Sequence, residues 1–125
     1  MWKKFNPNPI GRRVGDCTIR AICAAEGLSW DEAFDNLAAY GKKLGNLQNS
    51  NEAVGAFLKD HGYTRHIVPD SCPACYTVSD FCRDHPIGVF VVGTGTHVVT
   101  CIDGNIYDSW DSSDEVPIYY WEANE

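Results

Sequence analysis

A chain of 125 residues with 44% hydrophobic and 12% aromatic side chains can build a core and is not a disordered segment. Ten Lys and Arg against seventeen Asp and Glu leave a formal charge of −7, which argues against nucleic acid as an unaided partner, because phosphate binding needs a basic face. No run approaches the roughly 20 apolar residues of a membrane span, and the start lacks the apolar stretch of a signal peptide. The expectation is one cytoplasmic domain over residues 1–125, with no membrane partner and its six cysteines mostly reduced.

Residues 1–15, rich in Pro, Asn and Gly, read as an extended N-terminal arm. A helix starts near Asp16, which is placed to cap it. Ile19, Ile22 and Cys23 form one apolar stripe and Ala21, Ala24, Ala25 and Leu28 another, so this helix is expected to be buried between layers, ending at Gly27. Ser29 and Glu32 make a capping box for a second helix with Ala33, Phe34, Leu37 and Tyr40 inward, closed by Gly41. The capping spacing recurs from Asn49 to Glu52, followed by Val54, Phe57 and Leu58, with Gly62 as the stop.

Residues 63–68 read as a short strand, and residues 69–76 as a loop holding two cysteines. Thr77 to Asp80 opens a fourth helix that must end by His85, because Pro86 follows. Then the pattern changes to β: residues 87–92, 97–102, 105–110 and 117–121, with Asp103-Gly104 as a two-residue hairpin turn. Helices first and an antiparallel sheet afterwards predict an α+β domain.

Three residues stand in contexts that suit thiol chemistry. Cys17 follows Gly15-Asp16 at a helix start, where the dipole and free N–H groups favour thiolate. His97 opens a strand, and Asp108 lies on the return strand of the Asp103-Gly104 hairpin. If Ile102 pairs with Asn105, then Val99 falls opposite Asp108 and His97 opposite Trp110. His97 and Asp108 become diagonal neighbours, roughly 7–8 Å apart at Cα and within side-chain reach. Val99, Cys101 and Ile106 share the face of the site in that register, with Val98, Thr100, Ile102 and Tyr107 on the other. Asp108→Asn is expected to keep the imidazole oriented, since an amide oxygen still accepts from the ring N–H. The oxyanion of an acyl-transfer step would take the Cys17 backbone N–H and, from the arm, the Asn8 side chain, with Asn6 nearly as well placed.

With these residues in place, the chain resembles the papain-like cysteine peptidase superfamily. The resemblance rests on Asn6-Pro7-Asn8-Pro9, Gly15-Asp16-Cys17, His97-Val98-Val99 and Tyr107-Asp108-Ser109-Trp110-Asp111-Ser112. These are similar to short papain-like proteins of bacteria and their phages. The resemblance implies a central buried helix carrying the cysteine, packed with the other N-terminal helices on a C-terminal antiparallel sheet. It implies a thiol hydrolase of a peptide, isopeptide or other amide bond, with Cys17 as nucleophile, His97 as base, Asp108 as orienting residue and no cofactor. The partner is then a peptide or protein substrate. Gly11 stands where the family commonly carries its oxyanion glutamine.

Two other readings compete. A catalytically silent papain-like binding protein, such as a phage or bacterial effector acting on a host factor, would keep the fold without the activity. Cys72, Cys75, Cys82 and His85 have the ligand types of a zinc site, which would make the chain a zinc-stapled interaction module. Against zinc, Val78, Phe81 and Cys82 form an i, i+3, i+4 stripe that points Cys82 into the core. The acidic run Asp111 to Glu115 reads as a solvated loop, or as a rim that attracts basic substrate segments.

Overall fold

The computed structural model describes residues 1–69 and 75–124. Over them the chain forms four helices and a six-stranded mixed sheet, an α+β architecture. In order these are β1 (Trp2–Lys4), α1 (Cys17–Glu26), α2 (Trp30–Leu44), α3 (Asn51–Asp60), β2 (Tyr63–Ile67), α4 (Val78–Asp84), β3 (Val89–Gly93), β4 (Val98–Ile102), β5 (Asn105–Asp108) and β6 (Tyr119–Ala123). None of the described helices is long and apolar enough to cross a membrane.

The helix ends follow local chemistry. Gly27 closes α1 in the left-handed region, its N–H donating to Cys23 O. Ser29 and Glu32 cap each other at the start of α2, as the sequence predicts. Gly41 does not end that helix. It lies inside it, and a Cβ there would come 2.7 Å from the Asn46 carbonyl, so the glycine serves the loop folding back over the helix end. Gly45 is the C-cap instead. Ser50, rather than Asn49, caps α3 by accepting from Ala53 N–H. Thr77 and Asp80 form the capping box of α4.

The strand order is β1-β5-β4-β3-β6-β2, antiparallel throughout except where β1 joins β5 in parallel. The expectation of a wholly C-terminal antiparallel sheet is therefore corrected twice. β2 forms the far edge against β6, and the supposed arm contributes β1, which covers the open edge of β5. A strand edge carries unpaired N–H and C=O groups, and residues 2–4 satisfy them. Phe5 N–H and Trp2 Nε1–H both donate to the Asp108 carbonyl, at 2.7 and 3.1 Å. The arm thus clamps the Asp108 backbone.

Both faces of the sheet are covered. Ile19, Ile22, Leu37, Phe57, Leu58, Val91 and Val98 form a core between α1–α3 and one face. Val78, Phe81, Cys82, Phe90, Val92, Val99, Cys101 and Ile106 form a second core under α4 on the other. Burying one such side chain stabilises by about 1.5–3 kcal/mol. A disulfide joins Cys82 of α4 to Cys101 of β4, whose Cα atoms lie 6.4 Å apart, and Cys75 is also disulfide-bonded. Mostly reduced cysteines are therefore not what the fold contains: among the described residues only Cys17 and Cys23 are free. The apolar stripe of α4 aims Cys82 at the sheet, where Cys101 sits within bridging distance.

Candidate functional site

Cys17 is the first residue of α1, so no i−4 carbonyl takes its N–H. Asp16 occupies the N-cap position but makes no side-chain cap, contrary to the role its sequence position suggests. Its carboxylate is buried and turned inward, accepting from Arg20 Nη1 at 2.5 Å and Trp30 Nε1 at 2.9 Å. The free N–H groups and positive end of α1 are left to the half-buried thiol. Burial works to raise the thiol's pKa. A hydrogen bond from His97, the Val98 backbone N–H and the charges of His97 and Arg20 outweigh it and bring the pKa below the ordinary 9.0. Cys23, six positions on in the same helix, shows the contrast: burial, with Asp16 nearby, pushes it up to about 11.

The hairpin forms in the predicted register. Ile102 pairs with Asn105, Cys101 with Ile106 and Thr100 with Tyr107. Asp103 and Gly104 have φ of 49° and 81°, the pair of positive angles a type I′ turn requires. His97 Nε2–H donates to Asp108 Oδ2 at 2.6 Å, and both residues are buried. With Nε2 so engaged, Nδ1 is the ring nitrogen left for the sulfur. Burial pulls the His97 pKa down, but Asp108 and Cys17 raise it by hydrogen bond and charge, to about 9. Burial also opposes ionisation of Asp108, yet His97, Ser112 and Arg20 hold its carboxyl below the usual carboxylate range.

One part of the face assignment changes. Val99, Cys101 and Ile106 face α4, whereas α1, which carries Cys17, lies over Val98 and Thr100; Thr100 Oγ1–H donates to Ala21 O. From α1, Cys17 reaches His97 and Arg20 reaches Asp108 at the end of the sheet. His97 stands just outside the ladder, in a turn where Thr94 N–H donates to His97 O and His97 N–H to Thr94 Oγ1. A residue beyond the last pair is not bound by strict alternation.

The sequence reading missed Arg20, Ser109 and Ser112 as supports of Asp108. Arg20 is 4% exposed, and its Nε–H donates to Asp108 Oδ1 at 2.9 Å while Nη1 holds Asp16. The i, i+4 spacing of Asp16 and Arg20 was the available signal. Ser112 Oγ–H donates to Asp108 Oδ2 at 2.6 Å, and Ser109 N–H to Oδ1 at 2.8 Å, so four donors surround this carboxylate. Trp110 lies with its ring 4.8 Å from the imidazole and screens it from solvent.

A cavity of about 740 Å³ opens over Cys17 and His97, bordered by Arg13, Thr18, Trp110 and Tyr119 among others. Asn8 does not line it. Its Oδ1 accepts from Ile10 and Arg12 N–H, which builds the loop before α1 instead of an oxyanion donor. Asn6 is likewise engaged, donating to the Gly11 and Arg12 carbonyls. The acidic run 111–115 lines none of the cavity either.

The zinc constellation is not assembled. Cys82 is committed to Cys101, and Cys75 is disulfide-bonded. The His85 ring stacks on Phe81 and donates from Nδ1 to its carbonyl at 2.8 Å. Cys72 lies outside the described residues, among which no three metal-binding side chains come together. Comparison with protein-family models, curated proteins and solved structures found no match to this chain.

Proposed function

We propose that this chain is a papain-like thiol hydrolase that cleaves a peptide, isopeptide or other amide bond through Cys17, His97 and Asp108. One observation carries the reading. A half-buried thiol at a helix start shares one imidazole with a buried carboxylate 2.6 Å from that ring, and the charges of thiol and imidazole each favour the other's ionised form. This is the geometry of an activated nucleophile, a base and an orienting group.

The thiolate attacks the scissile carbonyl carbon, and the carbonyl π electrons move to oxygen. The Cys17 N–H, left free at the helix start, donates to that oxyanion. Collapse of the tetrahedral species breaks the C–N bond, and the His97 imidazolium gives its Nδ1 proton to the departing amine. The products are the free amine and a thioester on Cys17. Neutral His97 then takes a proton from water as the water oxygen attacks the thioester. The acid leaves, and the thiolate–imidazolium pair is restored. Asp108 keeps Nε2 protonated throughout, which fixes the tautomer that presents Nδ1 to the sulfur.

A brief pulse of iodoacetamide at pH 6, read by mass spectrometry, tests the first requirement. Cys17 is labelled and Cys23 is not, because only an accessible thiolate alkylates quickly there. An unlabelled Cys17 refutes the proposal. A labelled Cys17 with no turnover of a peptide, isopeptide or thioester library favours the silent binding protein.

A further inference from the structure

The cavity over Cys17 has a charge pattern unlike that of the chain. Asp and Glu outnumber Lys and Arg by seventeen to ten, yet the cavity is lined by Arg13, Arg20 and His97 and, among the described residues, by no carboxylate. Arg20 is spent on Asp16 and Asp108, and His97 is balanced by Asp108 and the thiolate. Arg13 is exposed and makes no hydrogen bond or ion pair among the described residues. It is placed by a built loop: Asn8 Oδ1 accepts from Arg12 N–H, the Asn6 side chain holds the Arg12 carbonyl, and Gly11 turns at φ 70°. Across the cavity, Tyr119 carries the Arg65 guanidinium 4.6 Å over its ring.

We infer that Arg13 binds a carboxylate on the substrate of Cys17, close to the bond that breaks. The inference rests on the hydrolase reading. A planar guanidinium with free N–H donors pairs with a carboxylate in a fixed two-point geometry. With no acidic side chain among the described residues of the wall to compete, an anionic substrate is drawn in and a cationic one is not helped. The same carboxylate could come from an acidic side chain or from the C-terminus of a chain. The remaining lining, with Thr96, Asn49 and Asn51, offers a hydroxyl and amides suited to a peptide backbone.

The test compares alkylation of Cys17 by iodoacetate, which carries a carboxylate, and by iodoacetamide, which does not. Both react by sulfur displacing iodide. Arg13→Gln should lower the iodoacetate-to-iodoacetamide rate ratio about two- to fivefold, the scale of one exposed ion pair. Added salt should lower the wild-type ratio in the same sense. Bromoacetyl derivatives of glutamate α-amide, of glutamine with a free α-carboxylate, and of glutamine α-amide then separate the sources. The faster of the first two identifies a side-chain or a terminal carboxylate, and the third should be slowest. If Cys17 is labelled but the ratio is the same in Arg13→Gln, or the three derivatives react alike, the Arg13 inference is wrong and the hydrolase reading stands. If neither halide labels Cys17, the hydrolase reading fails and takes the inference with it.

Discussion

Replacing His97 with Ala separates an activated thiol from an ordinary half-buried cysteine. In the wild-type site the ring contributes both a hydrogen bond and a positive charge to the sulfur, against a burial effect that favours the neutral thiol. A unit charge pair at about 4 Å is worth about 1 kcal/mol in bulk water and about 4 kcal/mol at an effective dielectric of 20. A 9% exposed imidazole beside a half-buried sulfur lies between those limits. Loss of the ring should therefore cut the thiolate population at pH 6, and with it the alkylation rate, by about five- to several-hundredfold. The assay is the pseudo-first-order rate of iodoacetamide labelling of the Cys17 peptide from pH 5 to 10. The two proteins should differ most at low pH and converge as the pH rises past the thiol's own range. The fold should survive, because Arg20, Ser109 and Ser112 still hold Asp108, and a thermal melt checks this. Equal rates at pH 6 in two folded proteins would refute the partnership.

Asp108→Asn should be harmful rather than mild, because all four of its partners are donors and an amide NH₂ must face two of them. Breaking a buried ion pair costs about 3–5 kcal/mol, and urea unfolding should show a loss of about 3 kcal/mol, since Arg20 keeps Asp16. The Thr18 hydroxyl is buried without a hydrogen-bond partner among the described residues, so Thr18→Val should raise stability by about 1 kcal/mol in the same experiment. Stability against pH tests the ionic pair. The raised His97 pKa gives stability that is complete below about 6.5 and lost as pH rises through about 9, while the lowered Cys17 pKa gives stability that grows with pH up to 9.0. Below 9.0 the Cys17 slope opposes that of His97, so Cys17→Ala should lose stability more steeply than the wild type as pH rises toward 9; parallel curves would sink this account.

The sequence was most informative where the physics is local. Asp103-Gly104 dictates its turn because both residues tolerate positive φ, and the register it sets lets Asp108 reach His97. Ser29 and Thr77 likewise state their caps within four residues. It was least informative where pairing partners lie far apart. Trp2–Lys4 is too short to show any period, and its partner strand begins at Asn105. The stripe Val78, Phe81 and Cys82 says that one side of α4 is buried. Nothing in it says that this side faces the opposite surface of the sheet from α1. Gly41 follows the pattern of a helix stop, and only the returning loop reveals why a glycine is needed inside the helix.

Arg20 is the instructive omission. Apolar periodicity assigns charged residues to solvent, so a buried arginine in the first turn of a buried helix has no place in that scheme. Its neighbours supply the reason. Asp16 and Asp108 carry two negative charges, and Arg20 with protonated His97 carries two positive ones, so the buried set is neutral only while His97 is an imidazolium. The Cys17 thiolate then adds a single negative charge at the one position where the start of α1 offers free N–H groups and a positive dipole end. Buried ion pairs are a poor source of stability, and apolar residues of similar volume often serve a fold equally well. What this set does provide is orientation. Trp30 fixes Asp16, Asp16 fixes Arg20, Arg20 and Ser112 fix Asp108, and Asp108 fixes the imidazole whose other nitrogen faces the sulfur.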